Sequence, residues 1–180
     1  MTTLAVASRS PRTRTLGIVL AAGVLALASQ FALPIPGTPV PITLQPMVVV
    51  LAGLLLGPVD GAVAMILYLM AGAVGLPVFA PIGAPGLLRL LGPTGGYLLA
   101  YPVAAAVAGR LGAGRPVFST RAIAAALGIL VLYAGGMTQL AVITGSFGRA
   151  AVLGVLPFVA IDAVKALVAA AVSGSRRHAV

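Results

Sequence analysis

Apolar runs recur along the whole chain, cut by short stretches of proline, glycine and arginine. The first run, TLGIVLAAGVLALASQFAL, follows SRSPRTR. The second, MVVVLAGLLLG, is short for a bilayer unless it starts near Thr43, which predicts a tilted or partly re-entrant element. GAVAMILYLMAGAVG and YLLAYPVAAAVAGRLG are the third and fourth. The fifth, AIAAALGILVLYAGGMTQLAVITG, is expected to be interrupted at Gly135-Gly136, and the sixth is AAVLGVLPFVAIDAVKALVAAAV. A membrane-spanning helix needs about 20 apolar residues, so six use roughly 120. The 180 residues therefore predict one all-α membrane domain. Its six-helix bundle covers 15–172, between tails at 1–14 and 173–180.

The connections carry their own signals. PIPGTPVPITLQP has five prolines in thirteen residues and reads as an extended loop, because proline breaks helices. Pro58-Val59-Asp60 reads as a tight turn. Residues 76–96 are rich in glycine and proline yet still apolar, so irregular backbone there must line a protein cavity or fold back as a lid. The first run, with basic residues ahead of it and ALA near its end, has features of a cleaved signal peptide. The equal hydrophobicity of the rest favours a retained first helix. Its Ala22-xxx-Ala26 spacing puts small residues on one face, where another helix can approach closely. The halves of the chain show no sequence repeat.

Composition sharpens this picture. The chain is 61% hydrophobic and 7% charged, whereas a soluble domain is near half apolar and a quarter charged. Cysteine is absent and His178 is the only histidine, which leaves no disulfide framework, thiolate or histidine metal site, or cysteine nucleophile. The net charge of +9 comes from arginines spread between apolar runs, a pattern that sets membrane orientation rather than one that binds nucleic acid. With the N-terminus inside, Arg9, Arg12, Arg14, Arg110, Arg115, Arg121, Arg176 and Arg177 are cytoplasmic, and only Arg89 and Arg149 are outside. This bias requires an even number of spans and puts both termini in the cytoplasm.

The charges inside apolar runs are the candidate chemistry. Lys165 is the only lysine and Asp162 one of two acids. They lie about 300° apart around a helix, close to one face, which Phe158 shares. A charge at the bilayer centre costs at least about 2.5–3.5 kcal/mol and usually marks a substrate or ion site. A self-neutralising structural pair is the plainer alternative. A ligand site is favoured, because the pair offers a carboxylate acceptor beside an ammonium donor. Pro157 deprives the Leu153 carbonyl of its helical partner, which predicts a kink or break beside a cavity. Arg89 stands in the apolar loop ahead of Pro93. It reads either as a snorkelling interfacial arginine or as an anion clamp. Asp60 is expected to cap a helix or pair with an arginine. Gln45, Thr138 and Gln139 are polar candidates for a cavity wall, while Tyr97 and Tyr101 read as interfacial or core aromatics.

The stretches PVPITLQ, GLPVFA, LLGPTGGYLLAYP and DAVK resemble the BioY family, biotin-specific substrate-binding (S) components of energy-coupling factor transporters. The resemblance runs from about residue 15 to 172. It implies a six-helix S-component fold in the bacterial cytoplasmic membrane, capturing biotin with high affinity from outside in a site closed by extracellular loops. It also implies a transmembrane energising subunit and two cytosolic ATPases as partners, docked partly through Ala22 and Ala26. The family's ligand-contacting D-x-x-K lands on Asp162 and Lys165, and its loop arginine on Arg89. The stretch PIGAPGLL departs from the glycine-rich run of many relatives. Biotin's chemistry fits these residues. Asp162 accepts a ureido N–H, Lys165 donates to the ureido oxygen, Arg89 holds the carboxylate, and apolar side chains such as Phe79 and Leu76 carry the middle. Lys165 on the carboxylate is the reverse arrangement.

No enzyme and no resident cofactor are expected, because these residues assemble no nucleophile–base pair, metal cluster or P-loop. Three competing readings are an S component or small carrier for another vitamin, a membrane enzyme using Asp162 and Lys165 as acid and base, and a structural membrane protein with an inert ion pair.

Overall fold

The computed structural model describes residues 10–175. Arg9, Arg176, Arg177 and His178 lie outside them, so part of the arginine count behind the orientation does too. Each of the six apolar runs holds a helix, the last as a bent pair.

Helix α1 (Pro11–Gln30) starts four residues before the expected bundle boundary. Ser10 accepts the Thr13 N–H at 3.3 Å, a serine cap ahead of a first-turn proline. After α1, strands β1 (Ala32–Leu33) and β2 (Ile42–Thr43) pair antiparallel across the proline-rich loop. Helix α2 (Gln45–Leu56) has 12 residues and α3 (Pro58–Ala73) has 16. The turn expected at Pro58-Val59-Asp60 is instead the first turn of α3. Gly57 alone separates the two helices, with φ at +90°, where only glycine is at ease.

Within residues 76–96 lies the short helix α4 (Leu88–Leu91), followed by α5 (Gly95–Gly112). Helix α6 (Phe118–Thr144) runs 27 residues straight through Gly135-Gly136, so the expected interruption is absent. A Cβ on Gly136 would overlap the Tyr97 ring, and one on Gly135 would meet the Gly96 carbonyl. These glycines admit α5, and close contact offsets their poor helix propensity of about 1 kcal/mol each. Helix α7 (Phe147–Gly154) and α8 (Val159–Ser175) meet at 58°. Pro157 sits at the break, as its missing N–H predicts.

Among the described residues, α1 and α6 are long and apolar enough to cross a membrane, and α7 with α8 makes a third span if the bent pair counts as one. Exposed Leu, Val, Ile and Phe side chains are numerous on the outer faces of the helices, a surface suited to lipid. Inside, small residues bring backbones together. A Cβ on Gly61 would lie 2.9 Å from Gly53 Cα, and one on Gly109 2.6 Å from Pro58 N. Helices α2, α3 and α5 therefore meet nearly backbone to backbone, the close packing expected where lipid gives apolar side chains no reason to associate.

Ala22 and Ala26 belong to this internal packing. Ala22 is buried and Ala26 half-buried against the cluster of Leu25, Ala64, Met65 and Tyr68. The close approach expected of their spacing is made within the chain.

The two ends of the bundle differ. At one end Arg14 joins α1 to Asp60 of α3. There buried Arg121 of α6 donates to the carbonyls of Arg115, Pro116 and Ala170. At the other end loops cross the helices. Ser29 donates to the Val78 carbonyl at 2.5 Å, and Gln139 to the carbonyls of Leu90 and Gly92 at 3.0 and 2.6 Å.

Candidate functional site

The looped end opens into a cavity with about 690 Å³ of empty space, part of it continuous with the exterior. The proline-rich loop, the 79–94 segment and helices α2, α5, α6 and α8 form its wall. Asp162, Lys165, Arg89, Phe79 and Gln45 all line it.

Asp162 and Lys165 face the cavity one turn into α8. Lys165 Nζ donates to Asp162 Oδ1 at 2.7 Å, and both side chains are almost fully buried. The other carboxylate oxygen, Oδ2, accepts the Tyr133 hydroxyl from α6 at 2.8 Å. Phe158, which shares their face, is buried and lines the cavity too. The ammonium keeps two of its three donors for other partners.

Arg89 does not snorkel. Only 7% exposed, it points into the protein, where Nη1 donates to the Ile82 carbonyl and Nη2 to the Ala80 carbonyl. Its Nε is buried and has no hydrogen-bond partner among the described residues. Burial pulls the guanidinium's pKa down from its ordinary value. The neighbours it touches are neutral carbonyls, so this cation is solvated by the loop but neutralised by no carboxylate among the described residues. A bound anion would supply both the missing acceptor and the missing charge.

Gln45 stands at the start of α2. Its Nε2 donates to the Tyr68 hydroxyl at 2.8 Å, and its Oε1 accepts from Thr43 at 3.2 Å. Each end of the amide keeps one further hydrogen-bonding position. Phe79 packs edge-on to Tyr68, with ring centres 5.4 Å apart, and lies over Gly72, whose Cβ would otherwise fill its place. Tyr68 also stacks on Tyr101 at 6.2 Å. The apolar wall is thus aromatic and rigid.

The proline-rich loop closes part of the rim. Val40 and Pro41 line the cavity. Thr38 donates to the Leu153 carbonyl at 2.5 Å, the group that Pro157 frees from its helix. The loop is therefore anchored at the break between α7 and α8.

Some expectations fall elsewhere. Leu76 is 55% exposed and is not part of the cavity wall. Thr138 bonds its own helix at Ala134, and Gln139 clips the 90–92 segment onto α6; both serve the scaffold. Asp60 pairs with an arginine, as expected. Tyr97 and Tyr101, read as interfacial or core aromatics, line the cavity, and Tyr97 donates to the Gly154 carbonyl at 2.5 Å. Tyr133 was missed. A tyrosine hydroxyl in an apolar run needs a partner, and a chain with two acids offers few, but nothing local links residues 29 positions apart.

A sequence model of the BioY family matches residues 3–180. A probable biotin transporter BioY from Pyrococcus horikoshii is 47% identical over 131 residues, 73% of this chain and 76% of that protein. The biotin transporter BioY of Rhizobium etli is 36% identical over 170 residues, covering 89% and 90% of the two. In fold, the chain is similar to a crystal structure of the S-component for biotin from an ECF-type ABC transporter, with a TM-score of 0.82 over 95% of both chains at 22% identity. A family match over nearly the whole sequence and a fold shared end to end make this chain a member of the BioY family.

Proposed function

We propose that this chain captures biotin with high affinity and carries it across the cytoplasmic membrane as the S component of an energy-coupling factor transporter. One observation carries the reading. A single cavity gathers an acceptor–donor pair, an uncompensated guanidinium and an aromatic wall, the groups that biotin's ureido ring, carboxylate and thiophane body require.

The charges favour one polarity. Lys165 is already neutralised by Asp162, whereas Arg89 has only carbonyl partners. The valerate carboxylate therefore goes to Arg89, where it fills the empty position at Nε. The ureido N–H groups go to Asp162, and the ureido oxygen to Lys165 and its two spare donors. Phe79 and the Tyr68–Tyr101 stack support the apolar middle, and Gln45 lends its amide at the edge.

In this reading the six apolar runs are six spans, α7 and α8 being one. The Arg14–Arg121 end and both termini face the cytoplasm, and the looped end faces outward. A transmembrane energising subunit and two cytosolic ATPases would drive release, since the chain has no P-loop of its own. Binding and release need no covalent step.

Equilibrium binding of biotin to the purified protein tests the proposal, beside Asp162→Asn and Lys165→Ala. Tight binding that both folded variants lose supports it. A folded parent that ignores biotin overturns it and directs the search to other vitamins.

A further inference from the structure

The carboxylate of Asp162 is held from two helices. Lys165, on its own helix, takes Oδ1, and Tyr133, from α6, takes Oδ2. A carboxylate has about four lone-pair positions, so each oxygen keeps one. With one donor on either oxygen, the group cannot turn about its last torsion without breaking a bond. The two remaining lone pairs point in fixed directions. Without the Tyr133 hydroxyl, Lys165 would be the only donor, and the carboxylate would follow a flexible ammonium on its own helix.

The geometry points to Tyr133 as a positioning residue that sets the selectivity of Asp162 for a neutral N–H donor over a cationic one. This rests on the biotin reading and deepens it. The hydroxyl draws negative charge from Oδ2 and occupies the position at which a second cation would bind. What stays open on the carboxylate suits a ureido N–H, whose demand for charge is modest. Lys165 adds to the discrimination, because its spare donors need an acceptor such as the ureido oxygen and repel a cation.

Iminobiotin is the probe. Its ring has a guanidinium in place of the urea, so it has donors only and is positively charged near neutral pH. The parent is expected to prefer biotin. Tyr133→Phe is expected to weaken biotin about tenfold, the usual effect of losing a hydrogen bond to a charged group. It should weaken iminobiotin less, because the freed Oδ2 accepts the additional cationic donor. The biotin-to-iminobiotin affinity ratio therefore falls. A purely structural tyrosine would weaken both ligands alike, so an unchanged ratio overturns the assignment.

If Tyr133→Phe does not fold, ortho-fluorotyrosine at position 133 keeps ring and hydroxyl while making the hydroxyl a stronger donor. The ratio must then rise, and a ratio equal to the parent's overturns the assignment. The two levels separate. A parent that binds neither ligand defeats the biotin reading itself, whereas a biotin-binding parent whose variants keep its ratio defeats only the role of Tyr133.

Discussion

The chain has two acidic residues, and the fold uses them in opposite ways. Asp60 sits at the end away from the cavity and faces the fork of Arg14, with Nη2 on Oδ1 at 2.6 Å and Nε on Oδ2 at 3.1 Å. The Arg14 side chain is half exposed, and the pair ties α1 to α3. Asp162 has no such fork. It receives one hydrogen from a buried ammonium and one from a half-buried phenol, at the wall of a cavity. A planar fork matches a carboxylate and leaves it little else to do. Two single donors leave lone pairs directed at whatever enters. The lesson is that an ion pair's partners and surroundings, rather than its presence, distinguish a clamp from a binding site.

The largest expected effect is at the buried pair. Asp162→Asn leaves Lys165 as an unpaired buried cation, which costs about 3–5 kcal/mol of stability. Truncating one member of a buried, hydrogen-bonded charge pair costs at least about 2 kcal/mol of binding, so biotin affinity should fall more than about 30-fold. Titration calorimetry in detergent, with thermal unfolding alongside, reads both. Unchanged affinity in the variant would make Asp162 a clamp like Asp60 and remove the contrast.

Arg89 comes next, and its test sharpens polarity. Arg89→Gln removes a charge-assisted contact worth about 1.5–3 kcal/mol, so biotin should weaken roughly 10- to 100-fold. Biotin methyl ester, which has no carboxylate, should bind parent and variant nearly alike. Equal loss for acid and ester would assign Arg89 to holding the loop through Ala80 and Ile82 rather than to the ligand.

A smaller effect is expected at the rim. Thr38→Val strips the Leu153 carbonyl of the hydroxyl that holds it across the break. A neutral bond is worth about 1 kcal/mol, so biotin should dissociate about fivefold faster. Competition with unlabelled biotin measures that rate. An unchanged rate would mean that the proline-rich loop does not limit exit.

Much of this was legible in the sequence because it is local. Apolar runs became helices, a proline in the sixth run broke it, and an i, i+3 pair shared a face. The apolar 76–96 stretch lined a cavity because irregular backbone has nowhere else to go in lipid. What was not legible is pairwise and distant. The Ala22-xxx-Ala26 spacing announces that something approaches, but α3 and a partner subunit leave the same mark. Gly135-Gly136 looks like a break until Tyr97 from α5 fills the space. Thr38 finds Leu153 across 115 positions, and Tyr133 finds Asp162 across α6 and α8. Such contacts are set by how helices cross, which periodicity along one helix does not encode.

The smallest expected effect on binding completes the comparison. Asp60→Asn unfastens the fork of Arg14 and loosens α1 from α3, so thermal stability should fall a little, more at low salt than at high, because added ions already screen a half-exposed pair. Biotin affinity should stay within about twofold, since distant sites act nearly independently. Asp60 lies at the opposite end of the bundle and is not part of the cavity wall. The result matters because Asp60→Asn makes the same chemical change as Asp162→Asn at the other end of the molecule. If the first costs stability alone and the second costs binding as well, the loss at Asp162 is a property of the cavity and not of removing an acid from an apolar bundle. If Asp60→Asn also abolishes binding, α1 and α3 transmit the state of that end to the cavity, and the two acids belong to one device.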